Sequence, residues 1–170
     1  MKKVSLMLGA IAMMAIACGE KKADTQSAPP ASMVKEAEAS KESATKEQVA
    51  VTIKSNDQMK YDLSEIKVPA NSSVTLTLVN EGKMPKEAMG HNFVLLKQGT
   101  DVADFAMRAI SAGIEKDHIP AGNETIAHTG LTGGGESVTI TFDAPAIGSY
   151  DFICSFPGHW GIMKGKLVVG

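Results

Sequence analysis

"SYDFICSFPGHWGIMKGKLVV" occupies residues 149–169 and joins two strand-like patterns by a turn. Tyr150, Phe152 and Cys154 alternate with Asp151 and Ile153, so an extended chain turns the first three to one face. "KGKLVV" (164–169) reads as a second short strand. Between them, "SFPG" reverses the chain and brings His159 back to the end where Cys154 points inward, and Met163 follows before the last strand. An isolated inward Cys is usually a small buried hydrophobe, and an isolated Met is usually core filler. Here thiol, imidazole and thioether stand five and four residues apart in one loop. That spacing points to a metal loop at the end of a β-structure.

The rest of the chain supports the β-structure. "VAVTI" (49–53) alternates Val49, Val51 and Ile53. "SVTLTLVN" (73–80) sets Val74, Leu76 and Leu78 against Thr75 and Thr77, and "SVTITFD" (137–143) sets Val138, Ile140 and Phe142 against Thr139 and Thr141. Period-two runs rich in β-branched residues are half-buried strands. "HNFVLLK" (91–97) is a shorter candidate, and "PANS", "NEGKMP", "TGGGE" and "APAIG" supply the turns. Several strands over about 120 residues make an all-β sandwich. One segment breaks the rhythm. "TDVADFAMRAISAG" (100–113) places Val102, Phe105, Ala106, Ala109 and Ile110 at helical spacing, with Thr100 or Asp101 to cap its start and Gly113 to end it. Asp101 and Asp104 are helix-start charges rather than acid–base catalysts. The sandwich thus carries one helical insertion.

Residues before 49 are a different material. Lys2 and Lys3 precede a fourteen-residue apolar run ending just before Cys18. This reads as an export signal, since a permanent span needs about 20 residues. Small Ala15 and Ala17 flank Ile16 before Cys18, which resembles a bacterial lipoprotein signal in which the Cys takes the lipid. Ala15 departs from that pattern, where Leu is usual. The expected organisation is a signal peptide at 1–17, lipidated Cys18 with a flexible tether at 18–48, and one domain at 49–170. The tether is rich in Ala, Ser, Glu and Lys and has no aromatic residue, so it buries too little to offset its ordering entropy. With Cys18 lipidated, Cys154 is the one thiol left and no intramolecular disulfide forms. A lone thiol in an oxidising compartment is explained by burial or by a bound metal. Losing Lys2 and Lys3 leaves 15 basic against 19 acidic residues, and the basic face that nucleic-acid binding favours is missing.

A metal at Cys154, His159 and Met163 needs another ligand, and the chain holds three other histidines, His91, His118 and His128. His91 opens a strand after a flexible Gly. His118 sits in a polar stretch before a Pro turn and reads as a solvated loop residue. Two imidazoles, a thiolate and a weak thioether suit copper in both oxidation states. Zinc could occupy such a site but gains little from the Met.

"AMGHNFVLL", "IAHTGLTGGGE" and "CSFPGHWGIMKGKL" resemble the azurins, blue-copper electron carriers of Greek-key cupredoxin fold, and "SNDQMKY" (55–61) is similar to their early strand region. The resemblance runs in order over about residues 49–170. It implies His91, Cys154 and His159 as equatorial copper ligands, Met163 as a weak axial sulfur, and the Gly90 carbonyl as a distant axial contact. It implies that Asn92 ties the ligand loops together, that Phe156 and Pro157 shield the site, and that His128 is a surface residue outside it. Two departures stand out. The family's disulfide has no Cys here, and the position where many relatives carry a buried titrating His holds Asn80.

The expected function is a monomeric, lipid-anchored carrier on the periplasmic side of the cell envelope. It passes single electrons between partners such as cytochromes, reductases or oxidases, and it is not an enzyme. The rival reading is a copper-delivery protein. Met59, Met84, Ala88, Met89, Gly158, Trp160 and Ile162 are the expected uncharged rim where electrons enter near His159.

Overall fold

The computed structural model describes residues 46–170. The signal segment, Cys18 and the tether up to residue 45 lie outside the described residues. Gln48, placed in the tether by composition, instead opens the first strand, β1 (Gln48–Asn56).

Two sheets face each other. One contains β1, β2 (Lys60–Tyr61), β4 (Ser73–Asn80) and β7 (Ser137–Asp143) in the order β2-β1-β4-β7. The other contains β3 (Glu65–Val68), β5 (Val94–Leu96), β6 (Thr125–His128), β8 (Gly148–Ile153) and β9 (Lys164–Val169) in the order β3-β9-β8-β5-β6. β1 pairs with β4 and β3 pairs with β9 in parallel, and the other pairs are antiparallel. Two parallel contacts among short strands require the chain to cross between sheets, as a Greek-key sandwich does. The all-β sandwich expected from the alternation is the one observed. β2, β3 and β6 add two to four residues each, too short to announce themselves by period.

Alternation decides which side chains meet. Val74, Leu76 and Leu78 on β4 are fully buried and pack with Ile53, Ile66, Phe93, Leu95, Phe152 and Leu167 between the sheets. Their neighbours Thr75 and Thr77 face outward and meet Thr141 and Thr139 across the strand pair, hydroxyl to hydroxyl, at 3.3 and 2.8 Å. Aliphatic burial of this kind is worth about 1.5–3 kcal/mol per side chain.

The helical insertion is α2 (Val102–Ala112), after the short α1 (Lys86–Met89). Asp101 caps α2 by accepting from the Ala103 and Asp104 amides, and Gly113 ends it at φ 77°, a conformation that favours glycine. Phe105, Ala106 and Ala109 turn inward. Ile110, expected with them, is 46% exposed, because at 100° per residue it falls at the margin of the stripe. The buried side of α2 covers the outer face of the second sheet. There Phe105 forms a second core with Val94, Leu96 and Ile153. This is why β5 is buried on both faces and why Ile153 is as enclosed as Cys154.

Candidate metal centre

Strand ends gather at one end of the sandwich. β8 delivers Cys154, and Met163 leads into β9. The loop between them is closed by its own backbone. Cys154 N donates to Met163 O at 2.9 Å, Met163 N to His159 O at 2.8 Å, and His159 N to Phe156 O at 3.0 Å. Gly158 supplies the positive φ of 85° that this turn needs.

His91 arrives from the connection between α1 and β5. A pair of backbone bonds with Thr132, at 3.0 and 2.8 Å, fixes its main chain, and Thr132 Oγ1 adds a third at 3.0 Å. Its ring is set by Asn56 at the end of β1, whose carbonyl lies 2.9 Å from Nε2. A carbonyl only accepts, so Nε2 carries the proton and Nδ1 is left with a free lone pair. That lone pair faces Cys154 Sγ at 3.9 Å. His159 Nδ1 lies 3.5 Å from the same sulfur. The three donor atoms fall within 4.8 Å of one another, and all three residues are buried. Met163 is fully buried beside them in the closed loop. Sulfur and two imidazole nitrogens converging on one point fit a thiophilic metal better than a hydrogen-bond network, since neutral thiol bonds are weak.

Burial keeps the group uncharged. Burial pushes the Cys154 thiol up to about 12. Burial, with His91 and His118 nearby, holds His159 down to about 4, and burial lowers His91 in the same sense. Metal-free, the group is therefore a neutral thiol and two neutral imidazoles. A metal ion displaces the thiol proton and finds both imidazoles already deprotonated.

Asn92 joins the segments that carry His91 and Cys154. Its Oδ1 accepts from Ser155 N at 2.9 Å, and its Nδ2 donates to Ser155 Oγ at 2.9 Å and to Asp117 O at 2.8 Å. Tyr61 OH donates to the Asn92 carbonyl, pinning β2 to the same segment. Gly90 is buried, and its backbone (φ −69°) suits any residue. Space is what excludes a side chain there. A Cβ would stand 2.6 Å from Lys86 O and 3.3 Å from both Leu131 and Phe156. Phe156 packs against His159 with ring centres 4.7 Å apart, and Pro157 is half-buried beside it.

Around this end, Ile162 is 61% and Met84 39% exposed, Ala88 and Gly158 are exposed, and Met59 and Met89 are half-buried. Trp160 differs from its rim neighbours in what it touches. It is half-buried and packs against the α2 core of Val94, Leu96, Phe105 and Ile153. His128 is exposed on β6, outside the group. His118 is no solvated loop residue. It is 7% exposed, with Nδ1 bonded to Ala109 O at 3.0 Å, because α2 folds over it. Asn80 is buried and donates to Thr132 O at 3.1 Å, so it braces the strand partner of His91. Asn56, Thr132, Ser155, Asp117 and Tyr61 all hold the site, and sequence reading gave none of them that role. Most act through backbone atoms or a hydroxyl, which leave no mark in residue type. Ser155 alone carried a signal, its place next to Cys154.

Residues 47–170 match the family of copper-binding proteins described as plastocyanin/azurin. The chain is 44% identical over 128 residues to azurin-2 of Alcaligenes xylosoxydans xylosoxydans, covering 72% of this chain and 98% of that protein. It is 45% identical over 125 residues to azurin of Achromobacter denitrificans, covering 71% and 83%. Auracyanin A, a "blue" copper protein of Chloroflexus aurantiacus, has a similar structure, with TM-score 0.68 and 36% identity over 72% of this chain and 99% of that one.

Proposed function

The chain belongs to the plastocyanin/azurin family of copper-binding proteins, and on that premise we propose a blue-copper electron carrier held by His91 Nδ1, Cys154 Sγ and His159 Nδ1. Buried Met163 and the Gly90 carbonyl would add weaker sulfur and oxygen donors to that set. The observation that carries this reading is the convergence of one thiol and two imidazole nitrogens within 4.8 Å in a buried pocket. Copper supplies a one-electron couple between Cu(I) and Cu(II). The chain supplies the rest. Asn56 orients His91, Asn92 joins the ligand segments, and Phe156 keeps water from the sulfur. Ligands this enclosed favour retention of the ion over its delivery.

His159 is the exit for the electron. His159 is 3% exposed and shares its loop with exposed Ile162, which makes it the ligand nearest in sequence to the rim. The uncharged rim of Met59, Met84, Ala88, Met89, Gly158 and Ile162 suits brief contact with redox partners such as cytochromes, reductases or oxidases. Trp160 contributes to the rim only the part that α2 leaves uncovered. The protein works as a monomer, tethered through lipidated Cys18 on the periplasmic side of a membrane, and catalyses no substrate chemistry.

The copper-loaded protein is expected to show an intense blue thiolate-to-copper band that Cys154→Ser abolishes. A variant that stays equally blue would place the thiolate elsewhere. Fatty-acid labelling tests the anchor separately. Wild type should take up label and Cys18→Ala should not, and an unlabelled wild type removes the anchor without touching the copper site.

A further inference from the structure

Asp117 and His118 stand in successive left-handed conformations, with φ 51° and 54°. Asp and His tolerate this region better than most residues, but two in a row is a strained turn that its surroundings must hold. It lies between α2 and β6, far in sequence from every ligand, and both of its carbonyls are used at the metal end. Asp117 O accepts from Asn92 Nδ2 at 2.8 Å, and His118 O accepts from Ser155 Oγ at 2.8 Å.

The chemistry of these bonds is directional. A carbonyl has no proton to give, so the Ser155 hydroxyl proton is committed to His118. The Ser155 oxygen is then left to accept from Asn92 Nδ2. Both amide protons of Asn92 are thereby engaged, and Oδ1 faces Ser155 N. Two adjacent acceptors thus decide the orientation of the Asn92 amide and the sense of each bond between the His91 and Cys154 segments. The turn is itself anchored on several sides. Asp117 Oδ1 accepts from Leu131 N at 2.9 Å, and the Asp117 and His118 amides donate to Ile114 O and Gly113 O at 2.9 and 3.0 Å. His118 Nδ1 donates to Ala109 O on α2 at 3.0 Å, and its ring stands edge-on to Phe156 at 5.3 Å.

We propose that the Asp117–His118 turn is a positioning element for the copper site. Braced by α2, it sets Asn92 and Ser155 so that the His91 and Cys154 segments stand at their working separation before metal arrives. The inference rests on the ligand assignment above, and it gives the helical insertion a part in the metal centre.

The test uses the full chain, with copper affinity by chelator competition, visible and paramagnetic-resonance spectra, and circular dichroism to confirm folding. Asp117→Val puts a β-branched residue where φ is positive and removes the Leu131 anchor, and Ser155→Ala removes the hydroxyl relay. Each is expected to weaken copper about 10- to 100-fold and to change the copper hyperfine splitting. Asp117→Asn keeps an oxygen for Leu131 and a side chain suited to the left-handed region, and it should recover most of what Asp117→Val loses. The double variant should be little worse than the poorer single, because both cut one chain of bonds. Unchanged affinity and spectrum in Ser155→Ala, or losses that multiply in the double variant, would overturn the proposal. Should Asp117→Val fail to fold, Ser155→Ala decides alone. A metal-free readout separates this idea from the ligand assignment. The Asn92 side-chain amide protons should exchange slowly in wild-type apo-protein and faster in Ser155→Ala. Fast exchange in wild type sinks the positioning role, whatever the colour of the copper form.

Discussion

The loop at residues 154–163 and the segment carrying His91 deliver ligands to one point by opposite means. The loop holds itself. Cys154, His159 and Met163 are linked by backbone bonds within ten residues, and Gly158 makes the turn. The His91 segment holds nothing by itself. Its place comes from Asn56 thirty-five residues before it, Thr132 forty-one residues after it, and Asn92 bonding to Asp117 and Ser155. Local closure costs little ordering entropy, whereas assembling distant partners requires the whole sandwich to be folded first. The loop can therefore be read as a motif, and His91 becomes a ligand only in the finished fold.

Breaking the long-range side should have the largest effect. Asn92→Ala leaves the buried Ser155 amide and the part-buried Asp117 carbonyl without their Asn92 partner and is expected to cost about 3 kcal/mol, at roughly 1–3 kcal/mol per orphaned group. Pro157→Ala, on the local side, should cost under about 1 kcal/mol, acting mainly through the freedom of the unfolded chain. Urea denaturation of the two apo-variants measures the difference, and equal losses would erase the contrast.

Acid probes both sides together at a smaller scale. His159 is held to about 4 in the fold against an ordinary 6.5, and His91 is lowered in the same direction. The unfolded chain therefore binds more protons between those values, so the stability of the apo-protein should fall as pH drops from about 6.5 towards 4 and then level off. Copper should steepen that slope, because the loaded fold has given up the Cys154 proton and cannot protonate either imidazole, whereas the unfolded chain still takes those protons. Melting temperatures of apo- and copper-loaded protein across this range provide the check, and parallel slopes would mean that copper displaces no proton from Cys154.

The smallest structural effect is expected at the exposed tip of the loop. Ile162 is 61% exposed, so Ile162→Lys should change stability by no more than about 0.5 kcal/mol and leave the blue band in place. Electron exchange should nonetheless slow strongly, because the new charge must be desolvated when two rims meet. Wild-type exchange rates in this variant at moderate salt would move the docking face away from the loop.

Residue order alone determined the sandwich, the helical insertion and the donor loop, because period-two alternation, the α2 stripe with its Asp101 cap, and the 154–163 spacing are all local patterns. The azurin-like motifs added His91, which spacing could not reach. Tertiary structure decided what those patterns leave open. His118 looked solvated and is buried, because α2 folds over it from a position that no nearby residue encodes. Sequence alone reads Trp160 only as rim, yet one part of it packs on Val94, Leu96, Phe105 and Ile153, because β5 and β8 present Val94 and Ile153 to the helix side. The carbonyls of Asn56, Asp117 and His118 became parts of the metal end for the same reason. Every residue but proline brings the same N–H and C=O to the backbone, and only the assembled fold decides which of them faces the site.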